Sequence, residues 1–195
     1  MLACVACCTG PVHAAEPPRA ALAYRSDLIR TARAVWGLNA PVAVFAAQVH
    51  QESGWRPDAV SHAGARGLAQ FMPSTSSWIA GIYPALASND PFNPAWAIRA
   101  LVQYDLWLYA RVQAATPCDR MTFVLSAYNG GLGWVQRDQQ LARARGLNPA
   151  VWTGNVAAVN AGRSAANWNE NRGYPQRILY RHQPLYASWG QGVCL

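Results

Sequence analysis

The chain has 195 residues, 52% of them hydrophobic and 13% charged, a balance that excludes a disordered polymer and suits one globular domain with a sizeable core. Its net charge of +7 comes from sixteen arginines set against nine acids. Such a charge favours polyanionic partners without choosing among nucleic acid, an acidic membrane face and an anionic wall polymer. The arginines run from Arg19 to Arg181 with no dense cluster, which is the pattern of a solvated basic surface.

Residues 1–15, "MLACVACCTGPVHAA", read as a leader: apolar and small up to Thr9, then Val12-His13-Ala14 as a small-residue cleavage pattern. Glu16 falls at its end. No later stretch approaches the ~20 apolar residues of a membrane span, so the expected setting is export to the periplasm or another wall-facing compartment, with residues 20–195 as the folded domain. Cys4, Cys7 and Cys8 belong to the leader and have no second cysteine pair to make a metal site. Cys118 and Cys194 remain, an even pair in an oxidising compartment. They are expected to form a disulfide worth on the order of 4 kcal/mol in the chain-entropy model, with two buried thiols as the alternative.

The rest reads as helices separated by Gly and Pro. Leu22 to Trp36 carries an apolar side and stops at Gly37; Asn39 is placed to cap a second helix, with Pro41 in its first turn. Val42, Phe45 and Val49 recur at helical spacing there, and Ser53-Gly54 ends the helix near Glu52. Ser74 or Thr75 opens another helix through Trp78 and Ile79. After an irregular Asn89 to Pro94 comes the clearest stripe, Ile98, Leu101, Asp105, Leu108 and Val112. Met121 to Asn129 and Gly133 to Arg145 give two more helices, Asn148-Pro149 opens a further one, and Tyr174 to Trp189 forms the last, interrupted at Pro184. Ala59-Val60-Ser61 is the one candidate for a small β element. The fold class is mainly α.

Only three glutamates occur, Glu16, Glu52 and Glu170, so the folded part holds two. Glu52 ends an apolar helix with Trp55 close behind. A carboxylate in such surroundings keeps its proton to higher pH and can serve as a general acid near neutrality. Behind it, "SHAGARGLAQFMPST" spaces Ser61, Gly64, Gly67, Gln70, Met72 and Pro73. The glycines allow a backbone turned over the acid. Gln70 can donate to or accept from a sugar hydroxyl or acetamide, and Met72 gives a soft apolar wall. The many aromatics, nine tryptophans and eight tyrosines, fill cores but also make platforms for sugar rings.

These residues carry a family resemblance. Glu52-Ser53, then Gly64-Ala65-Arg66-Gly67-Leu68-Ala69-Gln70-Phe71-Met72-Pro73, then Ala127-Tyr128-Asn129-Gly130-Gly131, are similar in order and spacing to three motifs of the soluble-lytic-transglycosylase (SLT) family, over about Pro41 to Ile178. The resemblance implies a lysozyme-like helical fold related to goose-type lysozyme, acting on peptidoglycan glycan strands with Glu52 as catalytic acid/base. Ser61, Gln70 and Met72 would line the site, with Tyr128 standing against the carboxyl beside Asn129. Glu170 and Tyr174, in "NENRGY", match an acidic element that borders the glycan groove. Departures also occur. Ala69 stands where methionine is common, Asp105 follows Tyr104 in a segment that differs from the family, and Trp134 to Trp168 is longer than a minimal member needs, a length that could shape subsites or serve a partner.

Ordinary glycosidases set two carboxylates across the bond, whereas none of the six aspartates lies in these motifs. The family route is accordingly substrate-assisted. Glu52 protonates the oxygen between N-acetylmuramic acid and N-acetylglucosamine, the muramyl acetamide stabilises the cation, and the muramyl 6-hydroxyl closes to a 1,6-anhydro end. The alternatives are a goose-type or phage-like lysozyme that uses water, a non-catalytic wall-binding assembly protein, and a nucleic-acid module, which lacks a recognisable motif. His13, His50, His62 and His182 show no metal-ligand spacing, so neither metal nor cofactor is expected. A monomer without nucleic acid or a membrane span is expected. Its setting is wall turnover, a secretion or conjugation apparatus, or a phage.

Overall fold

A computed structural model describes residues 16–194; the leader expected at residues 1–15 lies outside them. Eight α-helices occur among the described residues: α1 (Arg19–Leu22), α2 (Arg25–Trp36), α3 (Val42–Ser53), α4 (Pro73–Ile82), α5 (Pro94–Tyr109), α6 (Pro117–Gly130), α7 (Leu132–Ala144) and α8 (Ala165–Gln176). Short 3₁₀ turns at Pro84–Leu86 and Val156–Ala158 interrupt the connections. A π-helical run, Arg177–His182, and a 3₁₀ run, Gln183–Trp189, follow α8. None of these helices is long and apolar enough to cross a membrane.

α3 is the hub. Its run from Val42 to Val49 has no polar face except Gln48, and every residue of it is buried, as a helix apolar all round must be. It packs against α2 on one side and against the π and 3₁₀ segments on the other. α6 behaves similarly: Met121 through Ala127 are all buried, between α5, α7 and α8. The amphipathic stripe expected on α5 is present, with Ile98, Leu101, Asp105 and Leu108 buried, although Val112 lies beyond the end of the helix.

Several boundaries differ from the sequence reading. Asn39 does not cap α3; Pro41 takes the N-cap place and the Val42 N–H turns back to the Ala40 carbonyl. The side-chain caps fall elsewhere: Asn93 on α5, Thr116 on α6 and Ser164 on α8. α6 therefore begins four residues ahead of Met121. Asn148 opens no helix, because its Oδ1 accepts from the Ala150 N–H, the local bond by which Asn competes with helix formation. The final helical stretch starts at Ala165 rather than Tyr174. Its first half is rich in asparagine and lacks an apolar stripe, and it is held by Asn171, which is buried. Pro175 sits inside α8, and the backbone passes into the wider π run just after it. The small β element at Ala59–Ser61 reduces to isolated antiparallel bridges, Val60 to Arg66 and Arg66 to Phe71.

Cys118 in the first turn of α6 and Cys194 in the C-terminal tail form a disulfide that closes 76 residues of chain. The long segment between α7 and α8 is riveted by charge. Asp138 accepts from Arg163 and, at 2.8 Å, from Arg172, and also takes the Ala161 N–H at 2.9 Å. Arg172 further donates to the carbonyls of Val156, Ala157 and Val159.

Candidate active site

Glu52 lies one residue before the end of α3, where the chain must leave the core. Gly54 and then Trp55 both adopt left-handed backbone conformations. For a bulky residue such as Trp55 that conformation is strained, and the surrounding packing has to hold it. The holding is visible: the ring is fully buried, stacks on Tyr24 and packs against Trp189. Its indole N–H donates to the Tyr186 hydroxyl at 2.7 Å, and that hydroxyl shares a second hydrogen bond with His50 Nδ1 at 3.0 Å. Burial and the nearby Arg181 lower the pKa of His50. These contacts fix the end of α3 and hence the direction of Glu52.

The carboxyl opens onto a groove of about 430 Å³. Ser61, Gln70, Met72, Tyr128, Asn129, Glu170 and Tyr174, seven side chains scattered over more than a hundred residues of sequence, line it together with Glu52. The turn that forms one wall depends on Gly67. Its backbone is left-handed, and any side chain there would run into the carbonyl of Pro91. Ser61 braces the same turn, its hydroxyl accepting from the Ala65 N–H at 3.0 Å. Gln70, another left-handed residue, turns its amide N–H₂ inward to the carbonyls of Gly67 and Ala59. Of the two polar ends anticipated for sugar contact, only its Oε1 remains free for a ligand.

Protein atoms surround the Glu52 carboxyl, although the residue keeps some surface open to the groove. That crowding raises its pKa to about 8; a hydrogen bond donated by the Tyr174 hydroxyl opposes the rise and the charge of Glu170 adds to it. At neutral pH the group therefore holds a proton. The tyrosine that bonds the carboxyl is Tyr174. Tyr128 instead donates to the Ala69 carbonyl at 2.7 Å, while its ring joins Phe71 and Tyr104 in an aromatic floor. Burial and the neighbouring Glu52 push both hydroxyls well above the usual tyrosine range, so both remain proton donors.

Glu170 is ion-paired with Arg177, whose Nε also reaches Gln51 Oε1 at 3.3 Å. The second acid of the groove is thus held by a cation at an exposed rim. Asn129 is oriented by Asn171, which donates to its Oδ1 at 3.1 Å and to the Ser126 carbonyl.

Sequence reasoning missed two groups. Tyr104 lines the groove beside Tyr128. Asp105, on the next position of α5, is completely buried beneath it, with Gln48 Nε2 3.5 Å from its Oδ1. Burial pushes Asp105 well above the ordinary carboxylate range, and the charge of Glu52 adds to the effect. An acid interrupting an apolar helical stripe was the available signal. Among the described residues, no group of three or more His, Cys, Asp or Glu is arranged to hold a metal ion.

A helical fold with a glutamate at the floor of a groove lined by hydroxyl, amide and aromatic groups is a lysozyme-like architecture. The chain belongs to the family described as the Transglycosylase SLT domain, whose model matches residues 28–151. Similar curated proteins include two called membrane-bound lytic murein transglycosylase F. The one from Shewanella pealeana is 37% identical over 109 residues, covering 55% of this chain and 21% of that protein. The one from Maricaulis maris is 38% identical over 110 residues, covering 56% and 23%. The chain thus spans between a fifth and a quarter of the length of these relatives. Among solved structures, the 70 kDa soluble lytic transglycosylase of Escherichia coli superimposes with a TM-score of 0.55 at 24% identity, over 85% of this chain and 24% of that one. That likeness establishes the fold.

Proposed function

We propose that the chain is an exported peptidoglycan lytic transglycosylase with Glu52 as its acid/base. The observation that carries this reading is a carboxyl that stays protonated to about pH 8 at the floor of a sugar-sized groove. Tyr174 occupies Glu52 Oε1 as a donor, so the acidic proton belongs on Oε2, available to the glycosidic oxygen of a MurNAc–GlcNAc bond. No second acid is free to act as nucleophile: Glu170 is engaged by Arg177 and Asp105 is sealed below the floor. The substrate's own acetamide then stabilises the cation. Glu52, now a carboxylate, takes the proton of the muramyl 6-hydroxyl as that oxygen closes on C1. The bond to the leaving sugar breaks, a 1,6-anhydro ring forms, and the acid is regenerated without water.

The test is mass spectrometry of purified sacculi digested with the protein and with Glu52→Gln. Fragments lighter by one water and ending in anhydromuramic acid, lost at least a thousandfold in the variant, are the expected result, since general acid and base roles here fall on one residue. Reducing ends would instead make the protein a lysozyme, and equal activity of the variant would remove Glu52 from the chemistry. The net charge of +7 further predicts that binding to anionic sacculi weakens with salt.

A further inference from the structure

Beyond Glu52 the groove continues over a second surface. Thr75 and Tyr104, which line the catalytic groove, also line a shallower cleft of about 260 Å³ with Ser74, Trp78, Trp107 and Leu132. An unbroken run of rings leads there. Tyr104 lies 5.4 Å from Tyr128, 5.8 Å from Trp78 and 6.0 Å from Trp107, centroid to centroid, and Trp78 meets Trp107 edge to face at 4.9 Å.

Trp78 keeps 39% of its surface exposed. Scattered exposed apolar residues need no explanation, but a continuous aromatic patch joined to a polar groove marks a binding surface. The indole N–H groups of Trp36, Trp55, Trp96 and Trp168 are each committed to an acceptor within the fold; those of Trp78 and Trp107, like those of Trp134, Trp152 and Trp189, have none among the described residues, and Trp78 has the exposure to offer its N–H to a ligand. The Arg111 guanidinium, 3.6 Å from the centroid of Trp107, holds that ring in place and lends no support to an apolar protein partner at this edge. The rim is Ser74 and Thr75, in the first turn of α4. Apolar ring faces bounded by hydroxyls and free N–H donors match a pyranose, which has an apolar C–H face and a hydroxyl edge.

We propose that Trp78 and Trp107, whose planes meet at 82°, form an aromatic platform with a right-angled corner that receives a further sugar ring of the glycan, one indole by its face and the other by its edge, outside the pair of rings cleaved at Glu52. The proposal rests on the glycan-cleaving reading of the groove and adds to it a length requirement: strands too short to span from Glu52 to the platform bind weakly.

Two measurements test it on the whole chain. In a Glu52→Gln background, binding of the N-acetylglucosamine hexamer and trimer is followed by calorimetry for the parent and for added Trp78→Ala or Trp107→Ala. In the wild-type background, the same tryptophan changes are assayed for KM and kcat on sacculi. Trp78→Phe serves as the conservative variant and Ile82→Ala as an exposed apolar control outside the cleft; thermal melts confirm folding. The expected result is a loss of roughly tenfold in hexamer affinity for each Trp→Ala change. KM should rise with kcat little altered, Phe should restore much of the affinity, and Ile82→Ala should change nothing. Unchanged hexamer affinity and KM in the folded alanine variants overturn the platform. So does a variant that alters only self-association, because the occupant would then be a second copy. If the parent cleaves no sacculi but binds the hexamer in a tryptophan-dependent way, the platform stands and the catalytic proposal fails. If it cleaves sacculi while hexamer binding is indifferent to the tryptophans, the catalytic proposal stands and the platform fails.

Discussion

Two buried carboxylate sites in this molecule face the same physical problem and solve it in opposite ways. Asp138, on α7, lies between two guanidiniums and accepts a backbone N–H as well. Glu52 on α3 and Asp105 on α5 have no cation in contact, and burial raises the pKa of both. Removing a charge from water is expensive, and the molecule either pairs the charge or abolishes it. The paired site clamps a segment that touches no reacting group. The unpaired site, on the proposed mechanism, stores a proton where a leaving oxygen can collect it. The difference separates structural from chemical acids more cleanly than burial does, because all three are enclosed.

The sharpest way to break this contrast is to remove the paired acid. Asp138→Ala leaves Arg163 and Arg172 buried with no anion, which costs about 3–5 kcal/mol for interactions of this kind. Urea unfolding is expected to show a large drop in midpoint, with turnover per folded molecule largely retained. A midpoint near that of the wild type would mean that the segment between α7 and α8 is held by packing alone and that the contrast is false.

Glu52→Gln should act in the other direction. In the unfolded chain this carboxyl titrates near 4.5, while in the fold it keeps its proton to about 8. A raised native pKa means that the unfolded state releases protons first. The wild type therefore loses stability as pH rises from about 4.5 to 8, and the loss levels off above that range. Allowing for solvent at the groove mouth, the change is on the order of a few kcal/mol. The neutral amide is spared it. Stability curves of wild type and variant that run parallel between pH 4 and 8 would show that the proton is not held as described. The gain of stability with loss of activity is the usual signature of a group kept in an unfavourable place for function.

The site was more legible in the sequence than its supports were. Glu52, the Gly64–Pro73 turn and the Tyr128-Asn129 pair stand in short contiguous motifs, and one turn or one helix end places each of them. The turn at Gly67 was readable because glycine takes a left-handed backbone without strain and leaves room for the Pro91 carbonyl. The first half of α8 was not, since "AANWNEN" has no apolar period and three asparagines, poor helix formers, and owes its shape to Asn171 bonding Ser126 and Asn129 across to α6. Tyr174 as the partner of Glu52, in preference to Tyr128, depends on how the C-terminal third folds back over α3. No local pattern carries that information. The arginines that bind Asp138 and Glu170 were invisible for a simpler reason: sixteen arginines spread evenly along the chain give no clue to which few turn inward.

Asp105 gives the smallest and most discriminating effect. Two buried atoms in its pair with Gln48 lack partners, Asp105 Oδ2 and Gln48 Oε1, and Gln48 Nε2 is already directed at Asp105 Oδ1. A proton on Oδ2 would give the pair the donor that Oε1 lacks. Asn in place of Asp reproduces the same donors and acceptors. Asp105→Asn is therefore expected to change stability by less than about 1 kcal/mol in acid and, as for Glu52→Gln, to raise it as pH increases through the carboxylate range. Asp105→Ala strands the Gln48 amide and costs about 1–3 kcal/mol. Activity decides the matter independently. With Asp105 neutral, its replacement by Asn leaves the alkaline limb of the pH–rate profile, set by Glu52, where it was. Were Asp105 ionised, its charge would be helping to raise the Glu52 pKa, and Asp105→Asn would move that limb to lower pH. A downward shift would thus mean that the charge beneath the groove floor, rather than its absence, prepares the acid.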